Sequence, residues 1–237
     1  MQLIVLAAGR GSRLPKKFRN KPKCLAEVNK KPIIDYNVNF FKKFKSRLII
    51  TGYKYKYLKD FCIKNKFKMI VNKNYKSTNM VHSLFLASRI IKSDVVVCYG
   101  DIIFDPKIYK LLNKGKNVMP INSNWLKSWK KRMTLKEIKK DAENLDIKKK
   151  LLLSIGGSIR HIYPKYQYMG IFKLSKKNYV ALNKLYKKIN NRKIDMTNFI
   201  NKALQLKKLK IATKIYKSYW YEIDTGRDLN LADKEIR

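Results

Sequence analysis

The residues equipped for chemistry begin where the first apolar run ends. Leu3-Ile4-Val5-Leu6 is followed at once by Ala7-Ala8-Gly9-Arg10-Gly11-Ser12-Arg13-Leu14, and Pro22-Lys23-Cys24-Leu25 comes soon after. Small residues directly behind a strand let the backbone approach a ligand closely, and its N–H groups can cradle a phosphate. The spacing is not that of a dinucleotide fingerprint, because the third glycine is missing and no acidic residue lies about 20 positions on. It is not a P-loop, since no Gly-Lys-Ser/Thr follows. Arg13 and Lys23 supply the positive charge that a triphosphate needs. A tight turn with two exposed cations accounts for the same residues, and the glycines alone do not separate the two readings.

The second signal is acidic. The 237 residues include 56 Lys and Arg against 16 Asp and Glu, a formal net charge of +40. In so acid-poor a chain, Asp101 in Gly-Asp-Ile and Asp224 in Glu-Ile-Asp are conspicuous, each at the end of an expected strand. Caps commonly take Asp, so a turn cap at Asp101 and a helix cap at Asp224 are the plainer alternatives.

The elements that must position these groups alternate along the first half. Leu3–Leu6, Leu48–Thr51, Met69–Val71 and Asp94–Tyr99 read as strands, the last built on Val95-Val96-Val97. Between them, the stretch from Pro32 to Phe44, Tyr57 to Ile63 and Asn79 to Ile91 carry helical spacing, and Asp105-Pro106 opens another helix. Short crossovers of this kind predict an α/β fold, a Rossmann-like, mostly parallel sheet with helices on both faces. The second half is less regular and reads as an embellishment of the same single domain, residues 1–237. Residues 123–150 are strongly charged, carry Trp125 and Trp129, and read as an insertion over the sheet. Tyr166–Leu174, Lys208–Tyr216 and Tyr219–Ile223 read as strands, and 175–190, 195–206 and the segment from about Arg227 as helices.

Composition excludes several classes. With 45% hydrophobic and 12% aromatic residues the chain is too apolar for intrinsic disorder. No apolar run approaches the roughly 20 residues that span a bilayer. The N-terminus reads as a strand entering a loop and lacks the pattern of a secretory signal. Cys24, Cys62 and Cys98 are too few and too scattered for a metal cluster or a disulfide framework. The expectation is a reduced, cytoplasmic protein, monomer or homodimer, with no membrane partner. A pI near 10.2 fits a polyanion-binding surface. Because the lysines are spread through every segment, a solvated coat is the plainer reading.

Further motifs occur in order: Asn72-Lys-Asn-Tyr75, Thr78-Asn79-Met80-Val81-His82-Ser83-Leu84, Tyr99-Gly100-Asp101-Ile102, Trp125 to Arg132, Asp141-Ala142-Glu143, Gln167-Tyr168-Met169-Gly170, Asp195-Met196-Thr197 and Trp220-Tyr221-Glu222-Ile223-Asp224. With the opening Leu-Ala-Ala-Gly-x-Gly-x-Arg and Pro-Lys-x-Leu, this set resembles the sugar-phosphate nucleotidyltransferases. Within them it is most similar to the small cytidylyltransferase branch, which includes phosphocholine, 2-aminoethylphosphonate and phosphoglutamine cytidylyltransferases.

The resemblance implies a phosphate or phosphonate oxygen attacking the α-phosphorus of CTP with loss of pyrophosphate. The acceptor is ionised at neutral pH, so no general base is needed; catalysis is positioning and charge neutralisation. By this resemblance Lys23, Arg13, Asp101 and Asp224 are catalytic, and Asp101 and Asp224 hold Mg²⁺, which takes few protein ligands. Leu6, Ala8, Gly9, Gly11, Arg13, Lys23, Gly52, Thr78, Asn79, Ser83 and Gly100 bind nucleotide, with simple helix capping by Ser77 or Thr78 the plainer role for that segment. Trp125, Trp129, Tyr168 and Tyr221 offer aromatic faces to an amino-bearing acceptor and Asp141, Glu143 and Asp195 offer counter-charge; core packing is the plainer role of any single aromatic. Residues 1–122 form the nucleotide-binding half and 123–237 the acceptor-binding half. The chain departs from the family pattern at Gly156-Gly157-Ser158 and Tyr166, which leaves Arg160 or Lys165 as the cation for the acceptor phosphate. His82 and His161 have no role in this chemistry. The expected partners are CTP and a small phosphate or phosphonate acceptor, with no specific nucleic acid. Two other readings stand beside it: a sugar-1-phosphate nucleotidyltransferase using UTP or dTTP, and a non-catalytic polyanion-binding protein on the same fold.

Overall fold

A computed structural model describes residues 1–159 and 162–236. The unalternating apolar run at the start forms β1 (Gln2–Ala7), every residue buried, as a strand covered on both faces must be. There follow β2 (Glu27–Val28), β3 (Lys31–Pro32), α1 (Val38–Phe41), β4 (Ser46–Thr51), α2 (Lys59–Lys64), β5 (Lys68–Val71), α3 (Met80–Phe85), β6 (Val95–Tyr99), β7 (Ile102–Phe104), α4 (Ile108–Leu112) and β8 (Val118–Asn122). Beyond them lie α5 (Trp125–Trp129), α6 (Leu135–Asp141), β9 (Glu143–Lys148), β10 (Leu151–Ser158), β11 (Gln167–Tyr168), β12 (Ile171–Leu174), α7 (Lys176–Ile189), α8 (Met196–Gln205), β13 (Ala212–Tyr216), β14 (Trp220–Glu222) and α9 (Gly226–Glu235).

The main sheet runs β5-β4-β1-β6-β12-β8-β13-β10-β9, with β11 on β8. Its first four strands are parallel, β13 is parallel to β8, and β12 enters antiparallel between β6 and β8. The sheet is therefore mixed and mostly parallel, with α3, α4, α7 and α8 packed on its strands. The chain leaves β1 for β4 on one side while β6 flanks it on the other. Such a switch point opens a crevice at the carboxyl ends of the strands.

Off the sheet, β7 and β14 pair antiparallel, with Glu222 opposite Ile102. A smaller apolar cluster joins Leu14, Val28, Ile33, Ile103, Ile223 and Leu229. It ties the glycine loop, the β2–β3 hairpin, the β7–β14 ribbon and α9 together. Full burial of a leucine such as Leu14 contributes about 1.5–3 kcal/mol, so the loop is anchored at its far end.

Several expectations are corrected. The helix expected after Pro32 starts as a 3-10 segment, Ile33–Asn37, before α1. The helix expected over Asn79–Ile91 stops at Phe85, and a separate 3-10 turn covers Ser88–Ile90. Residues 123–150 do not all lie over the sheet: β9 joins it as the edge strand against β10. The β9–β10 turn is Lys149-Lys150, both at positive φ (49° and 64°), a two-residue hairpin backbone usually marked by Asn-Gly. The strand expected over Tyr166–Leu174 breaks into β11 and β12 at Gly170, whose φ is +72°. A Cβ there would stand 2.6 Å from the Tyr99 ring, so only glycine lets β12 pass β6 at this point.

Candidate active site

The β7–β14 ribbon explains how two acids far apart in sequence meet. Ile223 N–H donates to the Asp101 carbonyl (3.0 Å), so Asp101 and Asp224 emerge side by side from adjacent strands. Lys23 Nζ lies between them, 2.5 Å from Asp101 Oδ2 and in contact with Asp224 Oδ1. The guanidinium of Arg13 reaches Asp224 Oδ1 at 3.0 Å. Burial alone works to lower the Lys23 pKa, but the two carboxylates outweigh it and hold the ammonium charged above its ordinary range. Burial likewise works to raise Asp224, and Lys23 and Arg13 reverse this and hold it below the usual carboxylate range. The Asp224 backbone is fixed in turn. Asp228 is 2% exposed and accepts from Asp224 N–H (2.9 Å), Thr225 N–H (2.6 Å) and the Thr225 hydroxyl (2.9 Å) while paired with Arg132. The cap of α9 is Thr225 with Asp228, which leaves Asp224 free of that duty.

One cavity of about 150 Å³ opens at the carboxyl end of β1. Leu6, Ala8, Gly9, Thr78, Asn79, Ser83 and Asp101 line it, joined by Asn72, Tyr75, Met80 and Tyr99. Gly52 and Gly100 lie behind this wall. A Cβ on Gly52 would stand 2.7 Å from Tyr75 Cβ, so glycine there lets Tyr75 close the cavity. Gly11 turns the loop (φ +69°) beside the Lys23 stem. Asn79 rather than Ser77 or Thr78 caps α3, accepting from Met80 N–H at 2.7 Å.

A second cavity, about 240 Å³, continues past Tyr99 toward α6 and α8. Arg13, Trp129, Asp141, Glu143, Tyr168, Asp195 and Asp224 line it. Glu143 accepts from Thr197 Oγ1 (2.6 Å) and Asp195 caps α8 through Asn198 N–H (2.8 Å). In the orientation its neighbours dictate, the Gln167 amide bonds both the N–H and the carbonyl of Glu143 at 3.2 Å. Burial raises the Glu143 carboxyl above its ordinary pKa, and Asp195 and Asp141 add to that shift against the Thr197 bond.

The structure does not bring Trp125 or Tyr221 to this cavity. Trp125 is 1% exposed, packed edge-on against Trp129, with its indole N–H on the Pro164 carbonyl (3.1 Å). Tyr221 points to the other face of β14 and donates to Glu235 (3.0 Å). The residue that reaches the cavity from β14 is Glu222, unassigned from sequence. Period two counted back from Asp224 would have found it, since alternate residues share a face. Burial, then Asp224 and Asp101, push its carboxyl well above the ordinary range. Lys165 is exposed and lies 5.6 Å from the centre of the Tyr166 ring, and Arg160 and His161 fall outside the described residues. His82 meets the Tyr186 hydroxyl at 2.9 Å, away from both cavities.

A crevice at a switch point, a glycine loop and a Lys–Asp–Asp cluster define a nucleotidyltransferase, and comparison with known proteins agrees. The MobA-like NTP transferase domain matches residues 3–117. A CTP:phosphoglutamine cytidylyltransferase of Campylobacter jejuni is 31% identical over 98% of this chain and 98% of its own. A choline-phosphate cytidylyltransferase of Streptococcus pneumoniae is 34% identical over 44% of this chain and 46% of its own. The inositol-1-phosphate CTP transferase structure from T. maritima superposes with a TM-score of 0.78 at 18% identity, covering 98% of this chain and 95% of that one. The chain belongs to the cytidylyltransferase family of nucleotidyltransferases and is an enzyme of that class.

Proposed function

We propose that the protein transfers CMP from CTP to a small phosphate or phosphonate acceptor bearing an amino or quaternary ammonium group, releasing pyrophosphate. One observation carries the acceptor class. Asp141, Glu143, Asp195, Glu222 and Asp224, five of only 16 acidic residues, line one cavity of a chain whose net charge is +40. Gathering carboxylates where burial disfavours their charge is unfavourable without a cation to face them. Trp129, Tyr99 and Tyr168 line the same cavity; Trp129 is stacked on Trp220 and carries Arg132 at 5.0 Å, and a ring face turned to the acceptor cation adds about 0.5–2 kcal/mol of cation–π attraction. The Campylobacter relative, named for phosphoglutamine, supports an amino-bearing acceptor, and the pneumococcal one, named for choline phosphate, a quaternary ammonium.

The reaction asks little of side chains beyond placement. The acceptor oxygen forms a bond to the α-phosphorus as the bond to pyrophosphate breaks, and no proton has to leave the ionised acceptor. Lys23 and Arg13 face the charge that passes to the leaving group. A divalent cation, Mg²⁺ in this reading, would neutralise phosphate charge. The donors fit it: Asp101 and Asp224 are hard oxygen ligands side by side, each with one oxygen on Lys23 Nζ, and Asp101 Oδ1 is buried without a partner. Residues 1–122 act as the nucleotide half and 123–237 as the acceptor half, with Arg13, Met80 and Tyr99 reaching across into the second cavity.

The test is pyrophosphate release with CTP and Mg²⁺ across phosphocholine, 2-aminoethylphosphonate, phosphoethanolamine, phosphoglutamine, glycerol phosphate and glucose-1-phosphate. Turnover with an amino-bearing acceptor, lost in Asp101→Ala, is the expected result. Turnover only with UTP or dTTP and a hexose phosphate would overturn it.

A further inference from the structure

Asn72 opens the Asn72-Lys-Asn-Tyr75 motif, and its surroundings are unusual for an amide. It is 2% exposed at the end of β5, and its side chain makes three hydrogen bonds. Asn74 N–H donates to Asn72 Oδ1 at 2.9 Å. A backbone N–H can only donate, so this bond fixes which end of the amide is oxygen. Nδ2 must then donate, and it does so to Thr78 Oγ1 and to Ser83 Oγ, both at 3.0 Å. The Thr78 hydroxyl donates in turn to the Asn74 carbonyl (2.9 Å). Ser83 is 4% exposed, lines the first cavity, and among the described residues its hydroxyl donates to no protein acceptor. Asn72 takes one of its two lone pairs and turns the hydroxyl proton away from the amide, so the group it has left to place in the cavity is first a donor.

We infer that Asn72 is a positioning residue that biases Ser83 toward donation, so that Ser83 donates a hydrogen bond to a ring nitrogen of the base. This rests on the cytidylyltransferase reading above and adds how the base is chosen. Cytosine presents an unprotonated N3, an acceptor, where uracil presents N3–H, a donor. A serine with one lone pair taken and its proton unused favours the first, and can meet the second only through its remaining lone pair with that proton left unplaced. Asp at position 72 has the same shape and the opposite polarity: one oxygen still accepts from Asn74 N–H, while the other accepts the Ser83 proton and turns Ser83 into an acceptor.

The experiment measures kcat/KM for CTP and UTP at pH 8, with calorimetric binding of CMP and UMP alongside, in wild type, Asn72→Asp and Ser83→Ala. In wild type CTP is preferred. Ser83→Ala narrows that ratio about tenfold, through KM, the scale of one lost hydrogen bond to the base. Asn72→Asp inverts the preference in both readouts. A ratio unchanged in both variants, with melting temperatures near wild type, overturns the inference. Should Asn72→Asp fail to fold, Asn72→Ala, which frees the Ser83 oxygen, decides by the same ratio: a narrowed CTP preference supports the inference and an unmoved one overturns it. If wild type shows no transfer from CTP, the functional reading itself has failed, a different result from an unmoved ratio.

Discussion

Glu143 shows how one side chain can work for function and against stability. Burial and the neighbouring Asp195 and Asp141 lift its folded-state pKa above that of a free carboxyl, while Thr197 Oγ1 pulls the other way from 2.6 Å. The folded protein therefore takes up this proton more readily than the unfolded chain. Its favourable contribution is complete below the ordinary carboxyl pKa and is lost as pH rises through the raised one, so at neutral pH the ionised group is a liability to the free enzyme. A cationic acceptor removes that liability by facing the charge. Glu143→Gln keeps an acceptor for Thr197 and deletes the charge. We expect it to raise the melting temperature of the free enzyme at pH 7–8 and to raise KM for an amino-bearing acceptor about tenfold or more, as loss of a charged hydrogen-bond partner does. In wild type that KM climbs as pH falls toward the Glu143 pKa, and in the variant this part of the pH profile flattens. Melting curves and acceptor titrations at several pH values check both signs together.

At the scale of elements, the site depends on short pieces whose local chemistry is complete. Helix α6 has seven residues and carries Asp141 at its end. It is held by a capping box in which Thr134 Oγ1 accepts from Glu137 N–H (3.3 Å) and Glu137 Oε2 accepts from Thr134 N–H (2.8 Å). Glu137 also pairs with Arg227 at 2.5 Å, which fastens α6 to α9. Thr134→Ala should cost about 1 kcal/mol, a fall of about 2–4 °C in melting temperature, and raise acceptor KM more than it lowers kcat. Denaturation and steady-state kinetics check it. The same scale explains what was legible in the sequence. β1, β4, β5 and β6 are short apolar runs that end at or just before Gly or Asn, so the parallel half and the loop behind β1 could be read directly. β9 and β10 could not, because Lys149-Lys150 takes a backbone that its residue types do not advertise. The β7–β14 ribbon was hidden too, since three-residue pairing across more than a hundred positions leaves no periodic trace. Acids at strand ends survived that ignorance: Asp101 and Asp224 stand out by scarcity. Trp125 and Tyr221 misled because aromatic type does not say which way a ring points. Asn72 and Glu222 were missed because their roles come from neighbours that only the fold assembles.

Over the whole molecule, one sign of charge dominates, and the consequences for stability and for rate have opposite signs. A net charge of +40 spread over the surface repels itself in the folded state. At about 0.1 M salt the Debye length is about 10 Å, short enough to screen one face from the next. Salt should therefore stabilise this enzyme, and the melting temperature should rise between about 10 and 200 mM KCl. The same field draws a nucleoside triphosphate toward the crevice, where Arg13 stands exposed and Lys23 lies deeper between Asp101 and Asp224. Steered association of this kind weakens steeply with ionic strength and spans about 10-fold or more. We expect kcat/KM for CTP to fall over that salt range while KM for a zwitterionic acceptor, which carries little net charge, changes far less. Scanning fluorimetry and initial rates in one series of buffers test the pair. A melting temperature that falls with salt would mean that the lysines are neutralised by local pairing rather than lying in a repelling coat. A kcat/KM for CTP that ignores salt would mean that the field at the crevice is set by its own acids, and that the surface charge plays no part in bringing substrate in.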